Sequence, residues 1–331
     1  MTNAFTRVVR HVLRSAIVLA ALCLPAIAQA QAPSHLIVFG DSLSDTGNDL
    51  LATMQTQLPI PPPQMYAAGR FSNGPVAFEY LWSFLSGGPP VIPPSLTVPV
   101  LPQQGAVSFA FGGSGSGAFR NVLGVNVPGL QTQVVFFAAS LAGRPAPPDA
   151  LYAIWTGSND YQAQTPESPA TVVDNIAAGI ETLYLLGARD FLVVNLPDLG
   201  SGPLVPEEQR AVLSRLTTEH NKLLKKKIKE LEKSLPDLRI IEGDVTKVFR
   251  TVLRTFESTV PLVDVLVPVP PGSLPASLCL TFNPAACPAV PTFAPDAEYA
   301  FWDSDHATTA AYERLAEALL TTVQKGLAVS H

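Results

Sequence analysis

The chain has 331 residues, a formal net charge of −6 at pH 7 and three cysteines, and 47% of its residues are apolar. The acidic balance argues against a nucleic-acid-binding protein and gives no attraction to anionic membranes. A chain of this length can bury a substantial core without extra crosslinks, and α/β chains of this size are often single domains.

The first thirty residues have the pattern of a secretory signal peptide. Three arginines precede a short apolar run at residues 16–24, and small residues occupy positions 28 and 30. The run is too short to span a bilayer. Cleavage after Ala30 predicts a mature chain, residues 31–331, that forms one domain in a secreted or periplasmic location. Cleavage removes three arginines and no acids, so the net charge moves from −6 to −9.

Five short apolar runs predict β-strands, at residues 35–39, 106–111, 151–155, 191–195 and 238–241. Unbroken runs of this length are typical of strands covered on both faces, as in a parallel sheet. Helical patterns lie between or after them, at residues 171–186, 207–235 and 308–323. The alternation predicts an open α/β sheet between layers of helices. Such sheets place their sites beyond the carboxyl ends of the strands.

The first run ends at Gly40, and Ser42 follows it directly in the stretch IVFGDSLSDTGND. By the rule for parallel sheets, Ser42 stands at the edge where ligands bind. The usual serine-hydrolase elbow, G-x-S-x-G, is absent from the sequence, which argues against an α/β-hydrolase. A nucleophilic serine also needs a general base and donors for an oxyanion.

Proline-rich stretches at residues 58–63, 88–102 and 261–275 do not fit the sheet, because proline blocks both helix and central strand. We expect long, stiff, partly apolar loops there. Packing over the scaffold and a role as a lid or binding wall both remain open.

Two candidate groups of oxyanion donors follow the second and third runs. Gly112 and Gly113 begin a glycine-rich turn, FGGSGSG, where bare backbone amides can approach a ligand closely. Asn159, in TGSNDY, offers a side-chain amide. A phosphate-binding loop is a weaker interpretation of the glycines, because no helical pattern begins there and no acid lies at the expected distance downstream. A plain flexible turn is the other interpretation.

The lysine-rich stretch NKLLKKKIKELEK lies within the second helical pattern. It could touch membrane phosphates in a transient surface contact. Its Glu and Lys spacing supports i,i+4 pairs, which favours a solvated face of a surface helix.

Cleavage leaves two cysteines, Cys279 and Cys287, in CLTFNPAAC. In an oxidising compartment, such an isolated close pair most simply forms one disulfide around a small loop. Metal binding is the weaker interpretation, because no second cysteine pair or nearby histidine cluster completes a tetrahedral site.

Among the four histidines that remain, His306 has the most suggestive neighbours, in FWDSDHATTAAY. Asp303 precedes it by three residues. This spacing lets the carboxylate reach the imidazole Nδ1 and fix its tautomer, which frees Nε2 to take a proton from a serine.

Four motifs occur in order along the chain: FGDSLSDTGN at residues 39–48, FAFGGSGSG at 109–117, GSNDY at 157–161 and FWDSDHAT at 301–308. Together they resemble the GDSL family of esterases and lipases, the SGNH hydrolases, and especially its lipase-like secreted bacterial members. The resemblance extends from about residue 35 to 325, which is nearly the whole mature chain.

The resemblance implies a three-layer α/β/α, flavodoxin-like fold with a mostly parallel five-stranded sheet. It implies that Ser42 is the nucleophile, His306 the base and Asp303 the group that orients the imidazole. It also implies an oxyanion hole built from the backbone amides of Ser42 and Gly113 and the side chain of Asn159.

Two residues depart from the family pattern around the glycine-rich turn. Ser108 stands where the lipase-like bacterial members usually carry Asn, and Ser114 stands where they usually carry Ala. Because both affect this turn, Gly112 remains an alternative to Gly113 as a donor. The other polar residues of the first motif are interpreted as bracing its loop through hydrogen bonds to the backbone: Asp41, Asp45 and Asn48.

Three functions remain in view. The first is hydrolysis of carboxylic esters, of lipids or short acyl groups, through an acyl-enzyme. The second passes the same acyl group to an alcohol. The third is a secreted binding protein on an inactive hydrolase scaffold, which is disfavoured because no catalytic position is missing. We expect a small-molecule or lipid ester as substrate, with no metal, no cofactor and no obligate protein partner.

Overall fold

The computed structural model describes residues 32–122, 124–163, 165–268, 272–291 and 296–328. The predicted signal peptide, residues 1–30, lies outside this part of the chain. Within it, no helix is long and apolar enough to cross a membrane.

One parallel sheet contains all five predicted strands. The described strands are β1 His35–Gly40, β2 Gly105–Ser108, β3 Phe119–Val122, β4 Val125–Pro128, β5 Leu151–Trp155, β6 Asp190–Val194 and β7 Arg239–Gly243. The sheet has the order β2-β1-β5-β6-β7, and each neighbouring pair is parallel. Counted within the sheet along the chain, this is the 2-1-3-4-5 order of flavodoxin-like folds. Strands β3 and β4 form a separate antiparallel hairpin.

Helices cover both faces of this sheet. The described α-helices are α1 Asn48–Thr53, α2 Ala77–Ser86, α3 Leu130–Ser140, α4 Ser158–Tyr161, α5 Pro169–Leu186, α6 Glu207–Ser234, α7 Val245–Leu253, α8 Leu262–Leu266, α9 Cys279–Phe282 and α10 Thr309–Ala328. One layer contains α2, α7 and α10, and the other contains α3, α5 and α6. Strands β1 and β5 are buried along their whole length. The predicted three-layer α/β/α class is therefore confirmed.

The three predicted helices are present with slightly different ends. Helix α5 begins after Ser168, whose side chain accepts a hydrogen bond from the amide of Thr171, and it stops at Gly187. Helix α10 continues to Ala328, five residues beyond the predicted end. Elsewhere the sequence predictions were incomplete: the hairpin and six further helices were not predicted, namely α1, α2, α3, α4, α7 and α9. Helix α8 lies within the proline-rich stretch expected to be irregular.

Candidate active site

The carboxyl ends of three adjacent strands bring the first three motifs together. Ser42 lies two residues beyond β1, Gly113 lies in the turn after β2, and Asn159 lies in the short helix after β5. Because β2, β1 and β5 are parallel neighbours, their carboxyl ends meet at one edge of the sheet. The fourth motif reaches this edge from the segment before α10.

Ser42, His306 and Asp303 form one hydrogen-bonded chain. The Oγ of Ser42 lies 2.8 Å from Nε2 of His306. On the other side of the ring, Nδ1 lies 2.8 and 2.9 Å from the two carboxylate oxygens of Asp303. In the tautomer with hydrogen on Nδ1, the ring donates to the carboxylate and Nε2 accepts from the serine hydroxyl. Both His306 and Asp303 are buried.

The Asp303 carboxylate is held by further donors on the protein. The backbone amides of Asp305 and His306 each donate to Oδ1 at 2.8 Å. The hydroxyl of Tyr66 donates to Oδ2 at 2.6 Å. Sequence reasoning missed Tyr66, because it lies in an irregular segment 237 residues away from its partner and carries no local motif.

The pKa shifts of this pair favour an ionised carboxylate beside the imidazole. Burial lowers the pKa of His306, but the neighbouring carboxylates, Asp303 first among them, raise it above the ordinary histidine value. Burial raises the pKa of Asp303, but the His306 charge and the hydrogen bonds on the carboxylate bring it below the ordinary aspartate value. Asp303 therefore stays ionised and stabilises an imidazolium beside it.

The hydrogen bonds of the glycine-rich turn distinguish its two candidate donors. The backbone amide of Gly112 already donates to Oδ2 of Asp45 at 3.1 Å. Within the described ranges, the amides of Gly113 and Ser42 have no such partner. Gly113 also has a φ of +74°, a backbone conformation that disfavours other residues. These contacts favour Gly113 over Gly112 as a free donor.

Asp45 braces this part of the site, as the sequence predicted. Besides Gly112, its carboxylate accepts hydrogen bonds from the amides of Gly47, Asn48 and Asp49 at 2.8, 2.7 and 3.2 Å. Burial raises its pKa to about 6, although these amides lower it. The Asp45 carboxylate thus ties the loop that contains Ser42 to the glycine-rich turn.

Gln133 and Ser114 form a buried polar joint between the same two loops. The Gln133 side chain pairs with both backbone groups of Gly40: Oε1 accepts from the amide at 2.9 Å, and Nε2 donates to the carbonyl at 2.8 Å. Nε2 also lies 3.2 Å from Oγ of Ser114, which itself donates to the Gly40 carbonyl at 2.7 Å. We call this arrangement the Gln133–Ser114 joint. The sequence marked Ser114 only as a departure from a pattern and gave no signal for Gln133.

Ser114 also orients the third candidate donor. Its carbonyl accepts a hydrogen bond from Nδ2 of Asn159 at 3.0 Å. This bond uses one of the two amide hydrogens, and the other is available to a ligand. Ser114 therefore contacts both Gly40, at the end of β1, and the side chain of Asn159.

The disulfide predicted between Cys279 and Cys287 is present. Sγ of Cys279 lies 3.4 Å from Sδ of Met65, the residue before Tyr66. Both Met65 and Cys287 belong to a small hydrophobic cluster that includes Tyr66 and Trp302. The crosslinked loop therefore packs against the two segments that position Asp303.

Several known proteins are similar to this chain. A family model described as GDSL-like lipase/acylhydrolase matches residues 36–319. The phosphatidylcholine-sterol acyltransferase of Aeromonas hydrophila is 32% identical over 241 residues, which cover 71% of this chain but only 65% of that protein, less than two thirds of its length. A GDSL esterase/lipase of Arabidopsis thaliana is 25% identical over 334 residues and the match covers 86% of each chain. The solved structure of an aryl esterase from M. smegmatis matches with a TM-score of 0.43 and 14% identity, over 88% of this chain and 99% of that one.

Proposed function

The chain belongs to the family of GDSL-like lipases and acylhydrolases, its relatives include GDSL esterases/lipases, and we propose that it hydrolyses lipid or short acyl esters through an acyl-enzyme on Ser42. The observation that carries this proposal is the 2.8 Å contact between Oγ of Ser42 and Nε2 of His306. A serine becomes a useful nucleophile when an adjacent base can take its proton.

In the first half of the reaction, Oγ of Ser42 attacks the ester carbonyl carbon while Nε2 of His306 takes the hydroxyl proton. Asp303 stabilises the resulting imidazolium through its charge and its hydrogen bond to Nδ1. The carbonyl oxygen becomes an oxyanion that accepts hydrogen bonds from the amides of Ser42 and Gly113 and from Asn159. When the carbon–oxygen bond to the alcohol breaks, His306 gives its proton to the leaving alkoxide.

In the second half, water attacks the acyl-enzyme and His306 acts as base again. Its proton returns to Ser42 as the acid leaves. The same acyl-enzyme could pass its acyl group to an alcohol, and the similarity to a bacterial phosphatidylcholine-sterol acyltransferase supports acyl transfer as the second candidate function. The two outcomes differ only in whether water or an alcohol reaches the acyl carbon first.

The proposed location is outside the cytoplasm, secreted or periplasmic. The arginines and short apolar run at the N-terminus support it. The Cys279–Cys287 disulfide supports it too, because such bonds persist mainly in oxidising compartments.

A fluorophosphonate probe tests the nucleophile. It should label the wild-type protein once, and Ser42→Ala should abolish both labelling and ester hydrolysis. Ser44→Ala is a matched control, because its hydroxyl is buried in the same loop and has no hydrogen-bond partner among the described residues. Equal labelling of Ser42→Ala and Ser44→Ala would exclude Ser42. Hydrolysis of p-nitrophenyl esters, phospholipids and acetylated sugars, with and without an added alcohol, then defines the substrate and the acceptor.

A further inference from the structure

Charge is distributed very unevenly along the chain. Residues 80–148 contain no Asp, Glu, Lys or His, whereas the rest of the chain carries all 27 acidic residues. The two cations of this stretch, Arg120 and Arg144, both donate to backbone carbonyls. Among the described residues, seven of the fifteen exposed large apolar side chains also lie in this stretch. An acidic protein therefore has one apolar region that carries no acidic side chain.

Four of these exposed residues lie along α3, and we call them the α3 strip: Val100, Phe119, Val135 and Phe136. Val135 and Phe119 are 63% and 61% exposed. Both α3 members of the strip point to solvent, while the opposite side of the helix packs in the core.

Hydrogen bonds place the other two residues of the strip, Phe119 and Val100, at the two ends of α3. At the N-terminal end, Thr132 donates to the carbonyl of Ala118, which puts Phe119 beside the first turn of the helix. At the C-terminal end, the amide of Leu101 donates to the carbonyl of Ser140, which puts Val100 beside the last turn. The strip therefore runs the length of the helix.

One end of the strip meets the candidate active site. Arg120 directly follows Phe119, and its guanidinium donates to the carbonyl of Gly113 at 3.0 Å. Val122, in the same strand, lies beside Gly113: a β-carbon on that glycine would be 3.3 Å from the valine side chain. A surface that covers the α3 strip therefore reaches the edge of the glycine-rich turn that contains Gly113.

We propose that the α3 strip docks onto an electrically neutral lipid surface and presents Ser42 to esters packed in that surface. The proposal rests on the proposed function in one respect, that lipid esters are among the substrates. A lipid surface fits this position because it supplies the substrate itself, whereas a protein seated there would cover the approach to Gly113. Phe and Val side chains gain free energy by leaving water, and a neutral surface adds no repulsion against the acidic protein.

Three of the six lysines of helix α6 are paired with acids, which weakens this helix as a competing surface for anionic lipid. Lys226 lies 3.5 Å from Glu230, and Lys227 lies 2.8 Å from Asp174. Lys225 lies 3.6 Å from Glu242. The positive charges of these three lysines are therefore partly balanced by acids of the same protein.

Vesicle flotation with the inactive Ser42→Ala protein tests docking without any need for catalysis. We expect it to bind neutral phosphatidylcholine vesicles, and binding to vesicles containing phosphatidylglycerol to be no stronger. A Phe119→Asp/Val135→Asp change in the same background should weaken binding at least tenfold, since each side chain loses its apolar burial. Leu185→Asp is the control: Leu185 is 83% exposed on α5, outside residues 80–148, and its change should leave binding intact.

Activity measurements in the protein with Ser42 intact complete the test. The double change should lower the rate on aggregated phospholipid or on an ester above its critical micelle concentration, and should leave the rate on a monomeric short ester unchanged. Circular dichroism checks that the variants are folded.

Equal vesicle binding by the double variant and the Leu185→Asp control overturns the proposal, as does binding only to anionic vesicles. The proposal is also overturned if size-exclusion chromatography shows that the protein self-associates through the α3 strip and flotation shows no vesicle binding. Vesicle binding that persists in a wild-type protein inactive on every ester would instead contradict the proposed function and leave docking standing.

Discussion

The replacement Ser114→Ala tests whether the Gln133–Ser114 joint sets the geometry of the oxyanion hole. The change removes one hydroxyl that donates to the Gly40 carbonyl at 2.7 Å and lies 3.2 Å from Nε2 of Gln133. It leaves the main chain of residue 114 in place, so the bond from Asn159 to that carbonyl is kept. The change adds no atoms to the buried site, so the fold should tolerate it.

The hydrogen bonds that remain after Ser114→Ala set the expected losses of stability and of kcat. The Gly40 carbonyl keeps its bond from Gln133, and the two hydrogens on Nε2 of Gln133 keep the carbonyls of Gly40 and Pro128 as acceptors. The net loss is therefore the bond from Ser114 to Gly40, which should lower the free energy of unfolding by about 1 kcal/mol. Complete removal of one oxyanion donor typically lowers kcat by about 10²–10³. Here the donors stay and only their support is loosened. We therefore expect a fall of about tenfold in kcat, or about 1.4 kcal/mol of transition-state stabilisation, with little change in KM.

Steady-state kinetics on a monomeric p-nitrophenyl ester, together with the inhibition constant of a boronic acid, measure this effect. The boronic acid imitates the tetrahedral state, so its affinity should fall in parallel with kcat. Ser140→Ala is the matched control, because Ser140 is buried in α3 and its hydroxyl donates to the Phe137 carbonyl at 2.7 Å, at the end of the helix. If both variants lose similar stability and neither loses kcat, the joint contributes to folding only and our reasoning is refuted.

The other predictions concern the donors, the base and the disulfide. Asn159→Ala should lower kcat by about 10²–10³ with KM nearly unchanged, whereas a rise in KM alone would make it a substrate contact. Asp303→Asn should lower kcat, though less than His306→Ala does. It should also move the acid limb of the kcat/KM profile to lower pH, because Asp303 holds the pKa of His306 up while burial lowers it; an unmoved limb would contradict this. Replacing Cys279 and Cys287 by serine should lower the free energy of unfolding by about 2 kcal/mol. It should also lower kcat by more than this loss of stability explains, since the crosslinked loop packs against the segments that position Asp303. An unchanged kcat would show that the disulfide does not help to position Asp303.

The sequence predicted the backbone framework of the site because strand ends carry local signals. Continuous apolar runs located β1, β2 and β5, and the polar residues directly after them were the candidate site residues. The Asp303–His306 spacing could also be found locally, because the two residues lie three positions apart and share hydrogen bonds. Each of these signals depends on residues close in sequence, which is why it could be read without a structure.

The supporting contacts could not be predicted in this way. Tyr66 and Gln133 lie in segments without a periodic pattern that points to the site, and their partners are 237 and 93 residues distant. A polar side chain gains such a role only when packing brings it to an unpaired group, and packing follows from the whole fold. The β3–β4 hairpin was missed for a different reason: its strands are four residues long, and β3 is mostly exposed, so no strong apolar run marks it.

The distance along the chain between nucleophile and base has a consequence for how the protein is made. Ser42 and its hydrogen-bond partner His306 lie 264 residues apart in the sequence. Ser42 is therefore synthesised well before His306. The His306 segment also needs α10 behind it, where Thr309 donates to the side chain of Asn73 at 2.8 Å and α10 packs on α2. A nascent chain that has not yet reached α10 therefore carries Ser42 without the imidazole proposed to activate it, and we expect no ester cleavage by Ser42 until the His306 segment has folded onto the sheet edge.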